Sequence, residues 1–85
     1  MGALENVGFE LLVVSAPEYT QLVAEIYYDG RFVALVNQER GAGLFDVETP
    51  GNNLVESKLA RKVDIRGFVA ALNDACERLS VAGEK

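Results

Sequence analysis

Between Gln21 and Gln38 the chain reads QLVAEIYYDGRFVALVNQ, two β-branched and aromatic runs joined by Asp29-Gly30. A two-residue Asp-Gly connection of this kind is the strongest short-range hairpin signal, because a type I′ turn requires φ > 0 at both central positions. The turn sets a register in which Tyr28 faces Arg31, Tyr27 faces Phe32, Ile26 faces Val33, Glu25 faces Ala34, Ala24 faces Leu35 and Val23 faces Val36. Strict alternation then puts Leu22, Ala24, Ile26, Val33 and Leu35 on one face, and Val23, Tyr27, Phe32, Ala34 and Val36 on the other. Only Glu25 interrupts the second set, so both faces need a cover.

The flanking segments say what else the hairpin joins. Phe9 to Val14, FELLVV, reads as a buried strand stopped at Ser15-Ala16-Pro17. The short connection that follows favours antiparallel pairing with the hairpin, since a parallel pair needs a crossover of a dozen or more residues. Beyond Gln38, Glu39 to Gly43 is a turn. Leu44 to Glu48 is a fourth strand with Phe45 and Val47 on one face and Asp46 and Glu48 on the other. Gly41 and Gly43 lack the third glycine and the following helix of a phosphate-binding loop, and the turn reading stands. Thr49 to Asn53 is a loop. Leu54 to Lys62 fits either a helical turn or two, or a short edge strand toward its end.

The last element is a helix from about Ile65 to Val81, with Asp64 as N-cap and Gly83 placed to end it in a left-handed C′ conformation. Ile65, Phe68, Leu72, Ala75, Cys76 and Leu79 recur at three- and four-residue steps and form its apolar stripe. The expected fold is therefore α+β: an antiparallel sheet of about four strands, β-β-β-β-α, with the C-terminal helix packed on one face. Residues 1–85 read as a single domain with loose termini at 1–8 and 82–85.

Composition narrows the function classes. The chain has no histidine and one cysteine, which removes the commonest general base, every Ser-His or Cys-His pair and the usual zinc ligand sets. Cys76 lies on the apolar stripe and reads as a structural thiol. No catalytic, cofactor or metal residue is assigned, and the chain is not expected to be an enzyme. The net charge is −5, with nine carboxylates against Arg31 and Arg40 in residues 1–56, and six basic against four acidic side chains in residues 57–85. An acidic sheet region repels nucleic acid and attracts basic protein surfaces. Lys58, Arg61, Lys62 and Arg66 scatter beside Glu56 and Asp64, the pattern of a solvated face. Tyr27, Tyr28 and Phe32 lack the basic surround of an RNA-stacking sheet, and cross-strand packing or a protein interface explains them better. No run is long enough to span a membrane and no secretory signal opens the sequence, so a cytoplasmic location is expected.

The runs VAEIYYDGRFVALVNQERG, ETPG and ARKVDIRGFVAALNDACERL together resemble small stand-alone bacterial proteins, some of them similar to immunity proteins encoded beside secreted toxins. That resemblance, over about residues 22–79, implies neutralisation of a toxin by binding in the cytoplasm. The residues themselves point to a non-catalytic protein-binding module, the alternative being a small-molecule-binding protein or an enzyme accessory subunit. A 17-residue helix spans roughly 25 Å, enough for one sheet face but not two. Val23, Glu25, Tyr27, Phe32, Ala34 and Val36 are the candidate interface if the helix takes the opposite face, with a homodimer or a protein partner as the cover. Alternatively the N-terminal segment or residues 49–62 fold over that face.

Overall fold

The computed structural model describes residues 8–50 and 56–82, with side chains through Val81. Four strands, β1 (Phe9–Val14), β2 (Val23–Tyr28), β3 (Arg31–Asn37) and β4 (Asp46–Glu48), form one antiparallel meander in the order β1-β2-β3-β4. A 3-10 turn at Glu56–Lys58 precedes the single helix α1 (Ile65–Ala82). The α+β architecture is the one expected. Of the predicted loose termini 1–8 and 82–85, residues 1–7 and 83–85 lie outside the described residues, as do the Gly83 cap and Gly51 to Asn53 of the predicted loop; the Gly8 carbonyl accepts a hydrogen bond from the Asp29 N–H and Ala82 ends α1.

The predicted turn and the predicted helix cap both have a physical counterpart, while β4 covers only Asp46–Glu48 of the predicted Leu44–Glu48. Asp29 and Gly30 have φ of 52° and 80°, the left-handed pair a type I′ hairpin requires. Asp64 caps α1, its Oδ2 accepting from the Gly67 N–H at 2.8 Å and its carbonyl from the Phe68 N–H at 2.9 Å. Leu54 and Val55 of the predicted 54–62 segment lie outside the described residues, and residues 56–62 take both of its predicted forms in miniature. After the 3-10 turn, Leu59 bridges Phe32 in parallel and the Ala60 N–H donates to the Phe32 carbonyl at 2.9 Å. Because β4 pairs only with Leu35, Val36 and Asn37, this segment occupies the edge of β3 that β4 leaves at Phe32.

The hairpin register departs from simple alternation. Tyr28 faces Arg31 and Tyr27 faces Phe32 as expected, but Ile26 then faces Ala34, Glu25 faces Leu35 and Ala24 faces Val36. Val33 is the extra residue of a β-bulge, and every side chain after it changes face. Ala34 and Val36 therefore lie in the helix-side core with Ala24, Ile26, Val33, Ala71, Ala75 and Leu79, all buried. Leu35 goes to the opposite face. The bulge places Ala34 opposite Ile26, where simple alternation would put Val33, and Val36 opposite Ala24 in place of Leu35, and α1 meets this layer with Ala71 and Ala75.

The helix stripe also shifts slightly. Phe68, Leu72, Ala75, Cys76 and Leu79 pack as expected, but Ile65 is 74% exposed and Ala71 is fully buried. Ile65 is the first residue of α1, and the buried row of the helix runs through Ala71, Ala75 and Leu79. Phe9, Leu11 and Val13 of β1 complete the core.

Candidate functional site

The face away from α1 is built in cross-strand rows: Glu10, Tyr27 and Phe32; then Leu12, Glu25, Leu35 and Glu48; then Asn37 and Asp46. At one end a loop crosses it. Ala16 to Tyr19 turns on a hydrogen bond from the Tyr19 N–H to the Ala16 carbonyl at 3.1 Å. The Tyr19 hydroxyl then reaches β4, donating to the Glu48 carboxylate with 2.9 Å to each oxygen. Glu48 also accepts from the Asn37 amide, whose Oδ1 takes the Glu39 N–H at 3.1 Å. Glu39 closes the circuit by accepting from the Thr20 N–H and hydroxyl at 3.0 Å and the Gln21 N–H at 2.9 Å. These backbone donors hold the Glu39 carboxyl below the usual glutamate range. Burial, the Glu48 bond and the nearby carboxylates push the Tyr19 phenol up to about 12.

The strap leaves a groove rather than a closed face. Its floor is Glu25, Tyr27, Phe32 and Leu35, with Tyr19 and Glu18 on one wall and Ser57 and Lys58 on the other. Tyr27 and Phe32 meet edge to face, with centroids 5.7 Å apart and planes at 75°. The Tyr27 hydroxyl donates to Glu25 at 3.0 Å, and burial together with that bond raises the phenol's pKa. Leu12, beside the groove, is 50% exposed. Carboxylates of Glu10, Glu18, Glu25, Asp46 and Glu48 dominate the face, against Arg31 and Lys58 at the hairpin end and Arg40, which pairs with Asp46 at 2.8 Å.

Of the six residues predicted for the interface, Glu25, Tyr27 and Phe32 come together on this groove. Val23 shares their face but is fully buried and stands outside the helix-side cluster, at the end of β2 that the loop crosses. Ala34 and Val36 do not belong to it, being beneath α1 for the register reason given above. Alternation missed Leu35, Tyr19 and Glu48. FVALV offers no polar residue to mark a change of phase, and nothing periodic in PEYT announces a strap.

The remaining candidates carry no site. Burial raises the Cys76 thiol, which fits a structural side chain. Arg61 is held by Glu56 at 2.8 Å, and no group of metal-ligating residues occurs among the described residues. No helix among them is long and apolar enough to cross a membrane. Comparison with protein-family models, with curated proteins and with solved structures finds no match.

Proposed function

We propose that this chain is a non-catalytic, cytoplasmic protein-binding module that engages a basic partner through the strapped face of its sheet. The observation that supports this reading most is the pairing of an accessible aromatic and aliphatic floor, Tyr27, Phe32 and Leu35, with a sheet face on which Glu10, Glu18, Glu25 and Glu48 outnumber Arg31 and Lys58. A partner that inserts an apolar side chain between the strap and Lys58, and meets Glu18 and Glu25 with Arg or Lys, satisfies both. Two copies meeting through this face would set its carboxylates against their own images, which disfavours a homodimer here. An immunity-type inhibitor of a toxin is one role such a face suits. A small-molecule site is the second reading, favoured by the groove's volume of about 720 Å³.

Affinity capture from the source cells, with wild type, Phe32→Glu and Ile65→Lys side by side, tests the proposal. Ile65 is exposed on α1, away from the groove. A stoichiometric basic protein retained by wild type and Ile65→Lys but lost by Phe32→Glu supports the reading. Retention by Phe32→Glu, or no stoichiometric protein with wild type, counts against it.

A further inference from the structure

The outer edge of β1 carries an instruction of its own. The Asp29 N–H donates to the Gly8 carbonyl at 2.8 Å. In an antiparallel ladder the bonded pairs alternate, so Glu10, Leu12 and Val14 direct their backbone groups inward to Tyr27, Glu25 and Val23. Phe9, Leu11 and Val13 consequently direct theirs outward. Among the described residues nothing pairs with that edge. It also has few of the usual guards: Phe9–Val14 has no lysine, no proline and no bulge, and its one charge is Glu10. The opposite edge differs, since β4 is three residues long and two of those are acidic.

We infer that β1 pairs antiparallel with β1 of a second copy about a two-fold axis, joining two meanders into one eight-stranded sheet. Same-face alternation restricts the two registers nearest full overlap to Leu11 opposite Leu11 or Leu12 opposite Leu12. The first sets Glu10 against Leu12 of the partner subunit, with the two Glu10 side chains on a diagonal. The second sets Leu12 against its own image, Leu11 against Val13 and Glu10 against Val14, so the two acids stand well apart. Charge selects the second. Leu12 is half exposed, so its pairing buries apolar surface on the strapped face.

The other face fits the same occupant. A shallow groove lined by Val13, Asp74, Glu77, Arg78 and Val81 lies between β1 and the outer flank of α1. Val81 is 63% exposed there, and Arg78 pairs with Asp74 at 3.2 Å. A two-fold copy brings an identical flank, apolar at Val81 and bearing both charge signs, which a copy of itself can complement. This pairing is independent of the proposed partner, because it uses the strand edge and leaves Tyr27, Phe32 and Leu35 accessible.

Sedimentation equilibrium and backbone amide exchange by NMR, both across a range of concentrations, test the inference on the wild-type chain. The expected results are a mass twice the 9.2 kDa of the chain and Leu11 and Val13 amides that become protected as concentration rises. A monomer throughout, or a dimer in which those two amides stay unprotected, overturns it. Leu12→Lys provides the register test, since position 12 is half exposed and on the surface of each copy. Opposed ammonium groups at the axis raise the dimer dissociation constant by about tenfold or more. An unchanged or tighter dimer contradicts the Leu12 register, tighter binding being the result of the introduced ammonium meeting Glu10 of the partner subunit.

Discussion

Exchanging one residue for lysine on either side of the Leu35-Val36 peptide bond probes the bulge directly. Val36 is 2% exposed within the helix-side core. Val36→Lys removes a buried valine, worth roughly 1.5–3 kcal/mol, and leaves an ammonium with no partner in an apolar layer, which costs about 3–5 kcal/mol where it cannot reach water. Domains of this length have a total stability of roughly 4–13 kcal/mol. The variant should therefore be unfolded, or show a urea midpoint lowered by about 3–5 M for a slope near 1.5 kcal/mol per M. Leu35→Lys enters the strapped face directly opposite Glu25 on β2 and Glu48 on β4. Cross-strand pairs of opposite charge contribute about 0.2–1 kcal/mol each, offsetting the loss of a half-buried leucine, so its midpoint should stay within about 0.7 M of wild type. Urea unfolding followed by circular dichroism separates the two. A damaging Leu35→Lys beside a tolerated Val36→Lys would restore simple alternation and refute the bulge.

Other features yield independent expectations. Gly8 has φ of +88° and an added Cβ would stand 2.7 Å from Tyr28 Cε1, so Gly8→Ala should cost on the order of 1–3 kcal/mol and lower the Tm measurably. Asp64→Ala removes the N-cap bond to Gly67 and should lose about 0.5–2 kcal/mol in thermal unfolding. Glu39 has its folded-state pKa depressed, so its contribution is present above the unfolded value and is lost as pH falls through the folded one. Stability should decline in acid below the ordinary glutamate range, and Glu39→Gln should show a smaller decline in urea titrations at successive pH values. Tyr19 is raised from 10.0 to about 12; the unfolded chain ionises first, so stability falls as pH rises between those values. Ultraviolet titration of tyrosinate should show a late-ionising phenol that Tyr19→Phe removes.

Strong local signals carried most of the fold. Asp29-Gly30 specified its turn through backbone sterics alone, and Asp64 with the three- and four-residue apolar spacing specified α1. Each of those signals lies within a few residues of the structure it determines. The candidate site depends on relations of a different kind. Tyr19 meets Glu48 across 29 positions of sequence, and no local pattern encodes such a bond. Leu35 was assigned to the wrong face because a bulge reverses alternation, and FVALV looks apolar on either phase. Glu25, Tyr27 and Phe32 were legible because they lie near the turn or on β2, ahead of the phase change.

Hydroxyl-radical footprinting of the chain alone and in the complex recovered by affinity capture addresses the strapped face most directly, because it reads side-chain exposure where the partner would sit. Tyr27, Phe32 and Leu35 should lose reactivity in the complex while Ile65 and Val69 on the outer surface of α1 retain theirs. Protection of Ile65 and Val69 with the groove residues unchanged would contradict a partner-binding role for this face.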